Sequence, residues 1–383
     1  MKKTILLALL PVFFSMSMFG TLFVATVKGS SIHHVYPEDS IQDAIDSADA
    51  GDTIFVHSGK YYENVVVNKS VYLFGENREN TIIDGTANSV VVNVTADDVV
   101  LKEFTIRNGD DGIDVYESSN VTIQNNLITD NLYGIRLYMS LYIIVFENDV
   151  TANKICGIFL QHSSSNTISR NNITADNYAG VWTQLSSNSN IISGNNIKAN
   201  NIYGIRLESS SNSSILENNI ADNFYYGISF GYSSNCSIAR NNITNNGYGA
   251  SFNYFSNNNS IYRNNMANNR YGIHLYMSSN NTAYHNNFTD NPEQVVSYNT
   301  VNIWDAGYPS GGNYWSDYED RYPDAEEIDG SRIWDTPYEI DENNQDRYPM
   351  VPEFSTWAPM LLSLIVLVVA MAKYRQGLFE TTH

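Results

Sequence analysis

Residues 203–227 read Tyr-Gly-Ile-Arg-Leu-Glu-Ser-Ser-Ser-Asn-Ser-Ser-Ile-Leu-Glu-Asn-Asn-Ile-Ala-Asp-Asn-Phe-Tyr-Tyr-Gly, with a spacing of 23 from Gly204 to Gly227. The same frame repeats along the chain. Glycines recur at Gly112, Gly134, Gly157, Gly180, Gly204, Gly227, Gly249 and Gly272, at spacings of 22, 23, 23, 24, 23, 22 and 23. Each is followed by a short alternating strand, a Ser/Asn turn and a second strand near an Asn pair such as Asn218-Asn219. Helical repeats need longer units and better helix formers, and the Leu framework of leucine-rich repeats is absent. A unit of this length with short strands and polar corners is one coil of a parallel β-helix. One residue past each glycine stand Ile113, Ile135, Ile158, Val181, Ile205, Ile228, Ala250 and Ile273. Three past it stand Val115, Leu137, Leu160, Thr183, Leu207, Phe230, Phe252 and Leu275. Both columns are expected to point inward and stack from coil to coil. At ~4.8 Å per coil the glycine column is roughly 34 Å long.

Composition agrees with this reading. Among 383 residues, 41 Asp plus Glu against 21 Lys plus Arg give a formal net charge of −20, while Tyr alone numbers 27. So acidic a chain does not hold nucleic acid through its phosphates. Asn, Ser, Tyr and Gly are poor material for a helical bundle, and a hydrophobic content of 43% is too high for disorder. The repeated Asn pairs suit stacked amide ladders at a turn. Ahead of the regular coils, residues 40–48 form a short amphipathic helix with Ser40 as N-cap, covering the open first coil. Less regular coils follow, with strands at 53–56, 65–67, 71–74, 81–83, 90–94 and 99–101, and the total is ten or eleven coils. Cys156 and Cys236 lie about three coils apart, roughly 14 Å, beyond the ~7 Å reach of a disulfide.

The two ends have a different composition. Lys2 and Lys3 precede an apolar run from Ile5 to about Val27, the pattern of a secretory signal that is cleaved or kept as an anchor. Residues 354–372 carry no charge and are followed by Lys373 and Arg375, the pattern of a membrane helix with a cytoplasmic C-terminus. The expected organisation is a signal at 1–30, an N-terminal cap and irregular coils at 31–106, and regular repeats at 107–295. An acidic aromatic cap follows at 296–351, then a membrane segment at 352–383. The protein is thus expected to be exported and tethered at the outer surface.

Chemistry is sought on the outward positions of the glycine-led strand. Two residues past each glycine come Asp114, Arg136, Phe159, Trp182, Arg206, Ser229, Ser251 and His274. Four past it come Tyr116, Tyr138, Gln161, Gln184, Glu208, Gly231, Asn253 and Tyr276. Flat aromatic rings beside polar groups suit the apolar faces and hydroxyl fringes of sugars, so the face is a candidate for extracellular polysaccharide or a surface-layer glycoprotein. The same pattern also fits an ordinary solvated sheet face rich in strand formers. A hydrolase or lyase stays open as an alternative, although hydrolysis needs two carboxylates about 5–10 Å apart and this face carries few acids. Soft metals need converging Cys, Met or His. His162, His274 and His285 are scattered, Met139, Met266 and Met277 do not cluster, and His33-His34 falls in an entry segment expected to be mobile, which argues against copper. Residues 302–350 carry thirteen acids against three arginines, half the net charge. Asp329, Asp335, Asp341, Asn343 and Asp346 there are hard oxygen donors that could hold calcium in the cap. Ten Asn-x-Ser/Thr triplets are present, and turn sites such as Asn212 and Asn258 are better glycan acceptors than asparagines committed to ladders.

The runs Ile41-Gln-Asp-Ala-Ile-Asp46, Ala50-Gly-Asp-Thr-Ile-Phe-Val56, Gly59-Lys-Tyr-Tyr-Glu-Asn64, Val71-Tyr-Leu-Phe-Gly-Glu-Asn77 and Gly311-Gly-Asn-Tyr-Trp-Ser-Asp-Tyr318 resemble the NosD-like family, as do the coils. The resemblance covers roughly residues 36–350. It implies an all-β, single-stranded right-handed parallel β-helix of the type shared by carbohydrate-binding proteins and sugar hydrolases. It also brings the family's label of periplasmic copper binding. Pro352-Glu-Phe354 before the apolar segment resembles an archaeal surface-sorting signal.

Overall fold

The computed structural model describes residues 30–85 and 89–352. The coiled chain builds three parallel sheets of twelve, eleven and twelve strands. Sheet I runs from Ile32–Val35 and Thr53–Val56 to Thr282–Tyr284, and sheet II from Gly59–Tyr61 to Tyr314–Trp315. Sheet III runs from Val65–Val67 to Glu293–Tyr298 and contains the glycine-led strands. There are about twelve coils, more than the sequence reading gives. Ile32–Val35 pairs with Thr53–Val56 at one end, and Tyr314–Trp315 pairs with Asn287–Thr289 at the other. The signal region and the apolar stretch at 354–372 lie outside the described residues. Among the described residues, no helix is long and apolar enough to cross a membrane.

The register pairs the two inward columns residue by residue: Ile135 with Ile158, Leu137 with Leu160, Ile205 with Ile228 and Leu207 with Phe230. All eight side chains are fully buried, each aliphatic one contributing ~1.5–3 kcal/mol of transfer free energy. The glycines have a steric cause. A Cβ on Gly204 would lie 2.6 Å from the Gly227 carbonyl oxygen and 2.9 Å from Ile220 Cγ2, so the position faces inward with no room. The glycine and the isoleucine after it both face the interior, which breaks alternation once in every coil.

Polar groups inside the coil are satisfied by directional ladders. In the first, Asn126, Asn148, Asn171, Asn195, Asn218, Asn241, Asn264, Asn286 and Asn313 follow one another on successive coils. Each donates its side-chain and backbone N–H to the next Oδ1, as Asn195 does to Asn218 at 2.9 Å in both bonds. The second runs through Asn131, Asn153, Asp176, Asn200, Asn223, Asn246, Asn269 and Asn291. A third includes Asn166, Asn190, Ser213, Cys236, Asn259, Asn281, Asn302 and Asn344. The second member of each Asn pair forms a separate surface ladder through Asn172, Asn196, Asn219, Asn242, Asn265 and Asn287. Cys236 thus replaces an asparagine in an interior ladder, and Cys156 lies under the outer face of sheet III; both are free and buried.

At the N-terminal end the helix spans Ile41–Ser47, and the Ser40 side chain accepts from Asp43 N at 3.2 Å. Ile41 and Ile45 are buried against the first coil. Lys69 Nζ donates to the carbonyls of Ile45, Asp46 and Ala48 at the helix C-terminus. At the other end Trp315 stacks on Phe288 of the preceding coil at 4.4 Å and on Tyr338 at 4.2 Å, so the aromatic residues pack a cap onto the rod.

The acids of this cap receive the interior ladders. Asp346 Oδ2 accepts from Asn313 N at 2.7 Å and from Trp315 Nε1 at 3.0 Å. Asn344 Nδ2 donates to both oxygens of Asp341 at 2.9 Å. Asn291 Nδ2 donates to Gln294, whose Nε2 reaches Asp317 Oδ1 at 3.3 Å. All three ladders point their N–H groups toward the C-terminal end, where a carboxylate is the complementary acceptor. Of the residues read as calcium donors, Asp341 and Asp346 accept from the ladder asparagines. Asp346 is fully buried, and Asp335 is engaged by Glu326 N and Thr336 Oγ1. Among the described residues, no three His, Cys, Asp or Glu side chains converge as a metal site requires.

Candidate functional site

The broken alternation at each glycine turns the residue before it outward, so a third column joins the outer face of sheet III. Tyr203, Tyr226, Tyr248 and Tyr271 stack in that column, with centroids 5.1, 4.9 and 4.7 Å apart and interplanar angles of 13°, 18° and 17°. Tyr133 stands one register step from Cys156 in the same column and stacks on Phe159 at 5.3 Å. Sequence reasoning left this column out of the site because strict alternation places it indoors. Its signal was the recurrence of tyrosine before glycine.

The centre of the face is a second, small hydrophobic cluster outside the coil interior. Phe159, Cys156 and Ala179 are buried beneath Tyr133, Tyr178, Trp182 and Tyr203. Phe159 is only 5% exposed, so it supports Trp182 at 4.8 Å and offers no ring face of its own. Trp182 is half-buried, with an indole N–H that has no hydrogen-bond partner. Arg206 sits beside it, its guanidinium 5.5 Å from the Trp182 ring and 4.8 Å from that of Tyr203. Arg206 bonds to the Tyr178 and Tyr203 hydroxyls and to Glu208 at 2.9 Å. Gln161 and Gln184 flank this centre in register and are half-buried.

Toward the N-terminal end, Asp114 pairs in register with Asn93 on one side and Arg136 on the other. Arg136 Nη1 lies 3.3 Å from Asp111 Oδ2. Asp114 is 8% exposed and its Oδ1 has no partner, as is true of Asn93 Oδ1 and Arg136 Nε. Burial, with Asp111 nearby, pushes the Asp114 carboxyl up to about 6 against the pull of Arg136. Burial also raises Asp111. Asp111, directly before Gly112, is buried and shares the face with Asp114. Tyr116 and Tyr138 stack beside them at 5.3 Å, with Tyr116 42% exposed. At the far end His274 accepts or donates to Ser251 Oγ at 3.1 Å, with Tyr276 half-buried next to it, and burial keeps the imidazole pKa low. The arrangement offers stacking surfaces, half-buried polar side chains, and one buried carboxyl raised to about 6.

His33 and His34 do not lie in a mobile entry segment. They belong to Ile32–Val35, and His34 Nδ1 lies 3.1 Å from His57 Nε2, with Glu76 Oε2 3.7 Å from His57 Nδ1. The two imidazoles are short of a closed donor set, the cysteines are buried apart, and Met139 and Met277 point outward on different coils while Met266 is in the core. These residues do not fit a soft copper cage.

The profile of periplasmic copper-binding proteins (NosD) matches residues 45–225 and 185–320. The chain belongs to the NosD family. Over 131 residues it is 34% identical to a cell surface glycoprotein of Methanothermus fervidus, a match spanning 33% of this chain and 21% of the glycoprotein. Among solved structures, the NosD-family chain is similar in fold to the A-module of a mannuronan C-5 epimerase of Azotobacter vinelandii (TM-score 0.59, 17% identity, 72% of this chain and 87% of that one). It is also similar to the catalytic domain of a GH87 alpha-1,3-glucanase in complex with tetrasaccharides (TM-score 0.57, 15% identity, 76% and 70%).

Proposed function

We propose that this NosD-family protein acts outside the cytoplasm, at the cell surface, and binds glycan along the outer face of sheet III without chemically altering it. The observation that carries this reading is the centre of the face. Trp182, with an unpaired N–H, is held by Phe159 and Tyr178 beside the fixed Arg206–Glu208 pair. A sugar ring stacked on Trp182 would lie beside Arg206 in register, with Gln184 and Glu208 two residues further along the same two strands to exchange hydroxyl bonds. The named surface glycoprotein and the sugar-active proteins of like fold support such a role. Export through the N-terminal segment and tethering through residues 352–383 belong to the same proposal.

The test is affinity electrophoresis of the purified protein through gels containing soluble polysaccharides. Trp182→Ala should weaken retardation, since stacking on an aromatic contributes ~0.5–1.5 kcal/mol, or about 2- to 13-fold in affinity. Unchanged retardation would remove this face from the reading.

A second reading, catalysis, is favoured by the buried pair Asp111 and Asp114, whose carboxyls are both raised next to Arg136. It requires release of reducing ends or unsaturated products from polysaccharide, lost in Asp114→Asn.

A further inference from the structure

The turn joining sheet III to sheet I carries a left-handed residue at the same place in successive coils. In register this position is Asn120, Tyr142, Ser165, Ser189, Asn212, Asn235, Asn258 and Asn280. Five of these begin an Asn-x-Ser/Thr triplet, and the φ values of Asn120, Asn212, Asn235, Asn258 and Asn280 lie between 57° and 60°. Asparagine tolerates that backbone better than most residues, so conformation alone would justify it. The hydroxyl partner two residues on has no such excuse. Thr122, Ser214, Ser237, Ser260 and Thr282 all open the sheet I strand with a half-buried, outward side chain; of the three positions without asparagine, Tyr142 and Ser189 are followed by Ile144 and Ile191, and Ser165 by Thr167.

Availability separates these five from the three triplets that begin at Asn172, Asn242 and Asn287. All five asparagines are exposed, and neither their amides nor the matching hydroxyls make a side-chain hydrogen bond. The residue between them, for example Ser213, Cys236, Asn259 or Asn281, is buried in the third ladder and pins the turn to the rod. By contrast Asn172, Asn242 and Asn287 lie inside strands, with side chains bonded into the surface ladder at 2.7–2.9 Å. A glycan on any of these would have to break that ladder.

We infer that this edge of the rod is a glycan-bearing edge, with N-linked sugar at Asn120, Asn212, Asn235, Asn258 and Asn280 and none at Asn172, Asn242 or Asn287. In the transfer, the side-chain amide nitrogen attacks C1 of a lipid-phosphate-linked sugar. The C1–N bond forms as the C1–O bond to phosphate breaks, the nitrogen gives up one proton, and the lipid phosphate leaves. The inference does not depend on the glycan-binding reading, because the turn column and the face of sheet III use different residues.

The experiment is glycopeptide mass spectrometry of the full chain isolated from its own producing cells. Sugar on the turn column and bare Asn172, Asn242 and Asn287 are expected. A variant carrying Thr122→Ala, Ser214→Ala, Ser237→Ala, Ser260→Ala and Thr282→Ala keeps every asparagine in its turn and should lose all column sugar while keeping the parent's circular dichroism. Sugar on the ladder asparagines, an unmodified column in the parent, or column sugar that persists in the variant overturns the inference.

Discussion

Replacing Asp176 by Asn should stabilise the protein, and the gain should grow with pH. Asp176 occupies a position held by asparagine on the coils before and after it. Its Oδ1 accepts from Asn153 N and Nδ2 at 2.9 and 3.1 Å, as an amide oxygen would. Its Oδ2 has no partner, where an amide nitrogen would donate to Asn200 Oδ1 as Asn200 does to Asn223 at 3.0 Å. Burial pushes the Asp176 carboxyl up to about 8 from 3.8. The sign follows from where protons are held. Below about pH 4 the group is protonated in both folded and unfolded chains and costs nothing. As pH rises the unfolded chain releases the proton first, so folded stability is lost progressively until about pH 8. About four units at ~1.36 kcal/mol each set an upper bound near 6 kcal/mol. The unpaired oxygen alone accounts for ~1–3 kcal/mol, so a gain of ~2–4 kcal/mol is expected for Asp176→Asn at pH 8, and under ~1 kcal/mol at pH 4. Thermal unfolding of both proteins at pH 4, 6 and 8, followed by circular dichroism, reads this directly. Asp114 and Asp346 titrate in both proteins and cancel in the difference. A gain of equal size at all three pH values, or a loss at pH 8, would refute the argument.

Asp346→Ala should cost ~3–5 kcal/mol in denaturant unfolding, because it strips the acceptor from the buried donors of Asn313 and Trp315, while EDTA should leave the parent's midpoint in place. Lys69→Met should weaken the N-terminal cap by ~1–2 kcal/mol, seen as faster amide exchange in Ile41–Ser47 with the central coils unchanged. Glu208→Gln should leave the Arg206 guanidinium without its carboxylate and shift gel retardation toward polyuronates, with neutral glycan binding changed less than about threefold.

The period, the inward columns, the capping helix and the Asn ladders were legible because each rests on local spacing that repeats. The composition of the outer face was half legible. Alternation put Trp182, Arg206 and Glu208 on one side, but the kink at each glycine, a contact with the next coil, moved Tyr203, Tyr226 and Asp111 onto it as well. The acidity of residues 302–350 was legible as composition, and the partners of its acids were not. Hard oxygen donors read alike whether they face a cation or the ends of three rows of amides, and only the coordinates show Asn313 aimed at Asp346. Phe159 failed for a similar reason, since its alternation is right and its burial comes from Tyr133 and Trp182 above it.

The interior ladders also have an evolutionary consequence. Most middle coils meet their neighbours through equivalent contacts, and the first and last coils have special partners. A duplicated or deleted 23-residue segment therefore lengthens or shortens the rod by ~4.8 Å without disturbing either end. Such a gene can change its reach in fixed steps while its two ends stay the same.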